Sequence, residues 1–149
     1  MRTRFSLSLL LVSGLLGSLL FTGVASAQTG GESLRLFATR LTGEAELPGP
    51  GDDDGRGRAL LTVNATTGRI CYSLSVRGID PAQAAHIHEI ASAGVGPVVQ
   101  ELDAPTSGSS RGCAVNAEVA AGILEHPSEY YVNVHNVAFP AGAVRGNLR

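Results

Sequence analysis

His86-Ile87-His88 is the segment whose residue types and spacing are best suited to chemistry. In an extended chain, residues two apart face the same side, so the two imidazoles share a face and Ile87 takes the other. Their backbones then stand about 6–7 Å apart. Bonds from nitrogen to a transition metal are near 2 Å, so the rings reach one ion only if they tilt inward. His135 is the third candidate. In the run Tyr-Tyr-Val-Asn-Val-His-Asn at 130–136 it shares a face with Tyr131 and Asn133, while Val132 and Val134 take the other. If the two segments are neighbouring strands, three imidazoles converge. Such a set suits Cu or Zn better than the oxygen-preferring Ca and Mg. With no aspartate beside the histidines, the expectation is one copper ion. The alternative is three histidines that serve as hydrogen-bonding strand residues.

Other residues are weighed against that trio. Arg145, in Gly-Ala-Val-Arg-Gly-Asn-Leu at 142–148, faces away from Val144 and Leu148. An arginine at the mouth of a metal site attracts a small anion; its structural alternative is a bridge to a loop carbonyl. His126 stands at the end of an expected helix, where a cation is favourable. Glu89 points away from His86 and His88 in a regular strand. Asp52-Asp53-Asp54 lacks the alternating ligands of a calcium loop and reads as a solvated acidic loop. Asn64-Ala65-Thr66 matches a glycosylation acceptor only as a short pattern. No phosphate-binding glycine loop and no Gly-x-Ser-x-Gly elbow occurs in the sequence.

The elements that must position these residues are mostly strands. Segments 33–47, 58–64, 69–79, 98–102, 113–115, 130–136 and 143–148 read as extended, and 84–90 carries the paired histidines. In 69–79, Tyr72, Leu74 and Val76 alternate with Cys71, Ser73, Ser75 and Arg77. Ala65-Thr66-Thr67-Gly68 supplies a hairpin turn. Segments 48–55 and 104–112 are rich in Gly, Pro, Ser and Asp and read as loops. One helix is expected, capped by Asn116, with a stripe of Ala120, Ile123 and Leu124, and stopped by Pro127. Many short strands with turn signals imply an all-β, Greek-key β-sandwich, either superoxide dismutase-like or immunoglobulin-like, with one short helix.

Composition sets the compartment. Arg2 and Arg4 precede an apolar run that ends in Ala25-Ser26-Ala27, the pattern of a secretory signal peptide over 1–27 with a single domain at 28–149. The expected location is secreted, periplasmic or in the cell envelope, with no membrane span after cleavage. All 11 basic residues are arginine, and the 13 acids outnumber them. The sequence contains no basic run, so no nucleic-acid partner is expected on charge grounds. Cys71 and Cys113 both fall in the exported part, where an oxidising compartment favours a disulfide. Their spacing rules out a Cys-x-x-Cys redox motif.

The histidine segments also carry a family resemblance. Ala-His-Ile-His at 85–88, Gly-Pro-Val-Val at 96–99, the 130–136 strand and Phe-Pro-Ala-Gly-Ala-Val-Arg-Gly-Asn-Leu at 139–148 resemble the CHRD domain. That module is named from chordin and is also found alone in exported bacterial proteins. The resemblance covers most of 34–149 and implies an extracytoplasmic β domain. An acidic residue is common in the family where Ala143 stands, which removes one partner for Arg145. His86-x-His88 is also similar to the paired copper ligands of copper/zinc superoxide dismutases. That likeness implies copper on His86, His88 and His135, with Arg145 as a catalytic residue guiding superoxide. The zinc-loop ligands are absent, so it implies a copper-only enzyme. Two expectations result: a copper-only superoxide dismutase, or a non-catalytic module that contacts an envelope or matrix protein.

Overall fold

A computed structural model describes residues 34–149, and the leader expected at 1–27 lies outside them. Eight strands and one α-helix occur among the described residues. The strands are β1 (Leu34–Thr42), β2 (Arg56–Asn64), β3 (Arg69–Arg77), β4 (Ala84–Glu89), β5 (Val98–Leu102), β6 (Ser109–Val115), β7 (Tyr130–His135) and β8 (Val144–Asn147). The helix α1 (Ala117–Glu125) lies between β6 and β7. All pairings are antiparallel, in the order β5-β4-β7-β8-β1-β2-β3-β6. The chain links the two outermost strands, β5 and β6, through residues 103–108 alone. The sheet therefore rolls into a nearly closed barrel with its seam between them. The Tyr72 hydroxyl donates to Asp103 Oδ2 (2.9 Å), and Asn116 Nδ2 donates to Val99 O (3.3 Å), which ties the seam. The all-β Greek-key expectation with one short helix is met.

Period-two alternation explains the core. Phe37 and Leu41, then Ala59, Leu61 and Val63, then Ile70, Tyr72 and Leu74 point inward from β1, β2 and β3. The register sets Leu61 opposite both Phe37 and Tyr72, so buried faces meet across strands. Ala85 and Ile87 continue the core opposite Val134 and Val132. The helix starts where the Asn116 side chain accepts from the Val119 N–H (3.2 Å) and buries Val119, Ala120 and Ile123 against that core. No helix among the described residues is long and apolar enough to cross a membrane.

Cys71 and Cys113 form the expected disulfide, as directly opposed residues of β3 and β6. Two boundaries differ from the sequence reading. β1 ends at Thr42 rather than near 47, because the chain turns at Gly43 to accept from Glu46 and Gly51. β6 begins at Ser109, inside the segment expected to be a loop, because pairing with β3 over Ser75↔Ser109 and Leu74↔Ser110 overrides the polar composition.

Candidate functional site

β4 is held between β5 and β7, with His86 opposite Asn133 on one side and Glu101 on the other. His88 is opposite Tyr131, and Ala84 is opposite His135. β8 adds Arg145 opposite Asn133. The outer face of this part of the sheet thus carries the three histidines together with Tyr131, Asn133 and Arg145. The sequence placed His86, His88 and His135 on shared faces, and strand pairing brings them into one cluster. One nitrogen from each ring lies within 4.8 Å of the others. A three-histidine cluster of this kind can coordinate a metal ion. Bonds of about 2 Å in a tetrahedral site need nitrogens roughly 3.4 Å apart, so a pair 4.8 Å apart closes by about 1.4 Å on binding.

Each imidazole is oriented by an acceptor outside the cluster. The His86 Nε2 faces Glu101 Oε2 at 3.0 Å. His88 Nδ1 faces the Gly96 carbonyl at 2.8 Å, and His135 Nδ1 faces the Pro140 carbonyl at 3.1 Å. A carbonyl or carboxylate only accepts, so each of these ring nitrogens carries the hydrogen and the opposite nitrogen keeps its lone pair. In neutral rings the lone pairs of His86 Nδ1 and His135 Nε2 then face each other at 3.1 Å. His88 Nε2 is buried with no hydrogen-bond partner. Three outward N–H donors with three inward lone pairs is the pattern that outer-shell acceptors impose on metal-bound histidines. Burial, followed by the neighbouring imidazoles, holds the pKa of His135 below its ordinary value. Burial also lowers His88. Both effects favour the unprotonated, ligand-competent form.

Local features explain the positioning. A register shift between Ile87 and His88 places Val99 as an extra residue of β5 and brings the 90–97 loop over the sheet. A side chain at Gly96 would collide with the Glu89 carbonyl, so the carbonyl that orients His88 depends on glycine there. His88 stacks on Tyr131, with ring centres 4.5 Å apart and planes 7° from parallel. The Arg145 guanidinium lies over the Tyr131 ring, 3.5 Å from its centre.

Three buried groups were not legible as site residues: Glu46, Asn133 and Tyr131. Glu46 is 3% exposed, and its Oε2 has no hydrogen-bond partner. Burial pushes its carboxyl up to about 7, against the opposing pull of Asn133 and Arg145. Asn133 sits between the histidines and this carboxyl, and its Oδ1 is also unpartnered. Gly142, at φ 146°, lets the 137–142 loop pass Glu46, where a Cβ would strike the carboxylate. Glu46 lies in a loop without periodicity, so no pattern in the sequence marks it. Tyr131 and Asn133 were visible as face-mates of His135, without a role.

Arg145 makes the bridge to a loop carbonyl that was weighed against a role in guiding an anion. It is 2% exposed, donates from Nη2 to the Gly94 carbonyl at 2.6 Å, and bonds Asn147 Oδ1 at 3.3 Å. It is a strut under the 90–97 loop, with its guanidinium held by that loop's carbonyl. His126 caps the C-terminus of α1 beside Glu125 and stays outside the cluster.

The family model of the CHRD domain matches residues 37–148. No curated protein and no solved structure matches the chain. The match overturns the expectation of an exported copper protein acting as a copper-only superoxide dismutase, since that family is generally known as a non-catalytic extracellular module. The geometry agrees: the arginine meant to steer superoxide is buried, and His88 is covered by Tyr131.

Proposed function

Because the chain belongs to the CHRD-domain family, we propose that it works as a non-catalytic extracytoplasmic module with a structural or protein-interaction role. The observation that carries this reading is the match over residues 37–148, which spans the whole barrel from β1 to β8. Proteins of this family are generally extracellular, in keeping with the leader expected at 1–27. The histidines then serve the architecture. His86, His88 and His135 would hold one nitrogen-preferring transition-metal ion, which would cross-link β4 to β7. Glu101, Gly96 and Pro140 keep the three rings aimed, and Tyr131 excludes water from His88.

The test is a superoxide-decay assay on purified protein loaded with each of zinc, copper and manganese. The expected result is decay no faster than in a buffer control containing the same free metal. Decay that rises with bound metal and disappears in His135→Ala would overturn the proposal.

A further inference from the structure

The arginines are scattered in sequence, yet strand pairing gathers four of them on one face. Arg40 of β1 stands opposite Arg58 of β2. Arg56 of β2 stands opposite Arg77 of β3. Like charges directly opposite in a sheet are destabilising. Among the described residues, none of the four lies within ion-pairing distance of a carboxylate. Together they line a groove of about 540 Å³ along with Ala38, Thr39 and Ser75. Arg56 is fixed in place by donating to the Asp53 and Gly55 carbonyls at 2.8 and 2.6 Å. A second groove of about 490 Å³ shares Ala38, Thr39 and Arg40 with the first and carries the trough across β1 toward β8. Four strands at their usual separation make that trough roughly 14 Å wide. No acidic side chain lines either groove.

We infer that this trough docks a linear acidic polysaccharide. Guanidinium groups pair bidentately with carboxylates and sulfates, and two rows on neighbouring strands match a chain bearing repeated anions. A single small anion would occupy only one row. Single-stranded nucleic acid needs aromatic platforms for its bases, and no aromatic ring lines the trough. A protein partner would need an anchor pocket, and between its arginines the first groove offers only Ala, Thr, Gly, Ser and one Val. The exposed Ser75 hydroxyl beside Arg58 is free to bond a sugar hydroxyl. The inference names a partner class for the proposed module and rests on that reading only in placing the protein among extracellular polymers.

The test is fluorescence anisotropy with labelled polygalacturonate, using the whole protein at low salt. Binding is expected to weaken steeply as salt rises. Arg40→Gln with Arg58→Gln should weaken it roughly tenfold and flatten the salt dependence. Arg111→Gln, an exposed change on β6 outside the trough, should leave it unchanged. Should the double variant fail to fold, Arg77→Gln alone should show a smaller loss and a smaller flattening of the salt dependence. Absence of polygalacturonate binding, equal binding of neutral dextran, or tighter binding of duplex DNA or polyglutamate would overturn the inference. An equal loss in Arg111→Gln would do the same. None of these results bears on the superoxide assay, so the two proposals fail separately.

Discussion

Replacing Glu46 by glutamine isolates the cost of burying a carboxyl beside Asn133 and Arg145. The native protein holds this group at about 7, against an ordinary value of 4.5, chiefly because burial disfavours the charged form. One pH unit of displacement corresponds to about 1.4 kcal/mol, so the full effect is about 3 kcal/mol. The sign follows from proton binding. The native state binds this proton more tightly than the unfolded chain. Its stabilising contribution is therefore complete below pH 4.5 and is lost as the pH rises to 7. Glutamine keeps the shape of the neutral carboxyl and has no proton to lose. Urea unfolding of both proteins at pH 4 and pH 8 gives the comparison. From pH 4 to pH 8 the stability of Glu46→Gln relative to the parent should rise by about 3 kcal/mol. His88 and His135 act oppositely, because their lowered pKa values withdraw stability as the pH falls through 6.5. Both proteins contain those histidines, so that trend cancels in the difference. A difference that stays constant within about 1 kcal/mol would refute the reasoning.

Other expectations follow from the same structure. Cys71→Ser with Cys113→Ser opens a loop with a sequence separation of 42, which should cost about 4 kcal/mol. An unmoved urea midpoint would contradict it. Arg145→Met removes the donor to Gly94 and the cation over Tyr131, at a cost of about 3 kcal/mol. Hydrogen exchange should then accelerate across the 90–97 loop, and unchanged protection there would count against the strut role. Asn116→Ala removes the acceptor at the start of α1 and should cost about 1 kcal/mol by thermal unfolding; no loss would show that the cap is idle.

Strand 69–77 was legible because one face is buried and alternation records which side chains meet the core; in 130–135 both faces are covered, and its aromatic and β-branched residues marked the strand. The three histidines were legible because spacing put them on common faces. Their adjacency was not, since no sequence pattern says that β4 lies beside β7. Glu46 was invisible because a buried loop carboxyl has no periodic partner. Arg145 was visible as an outward-facing side chain, but its burial comes from the 90–97 loop folding over it. The basic trough was hidden for a related reason. Arg40, Arg58 and Arg77 are separate single charges in an acidic chain until the register places them side by side.

The central claim is that His86, His88 and His135 act as a structural cross-link between strands. Thermal unfolding with and without zinc, in the parent and in His135→Ala, tests it most directly. An ion present at a hundred times its dissociation constant adds about 2.7 kcal/mol. For a domain of this size that corresponds to a rise in Tm of roughly 10 °C. The account predicts this rise for the parent and almost none for His135→Ala. A parent protein whose transition zinc leaves in place, or a variant that gains as much as the parent, would contradict it.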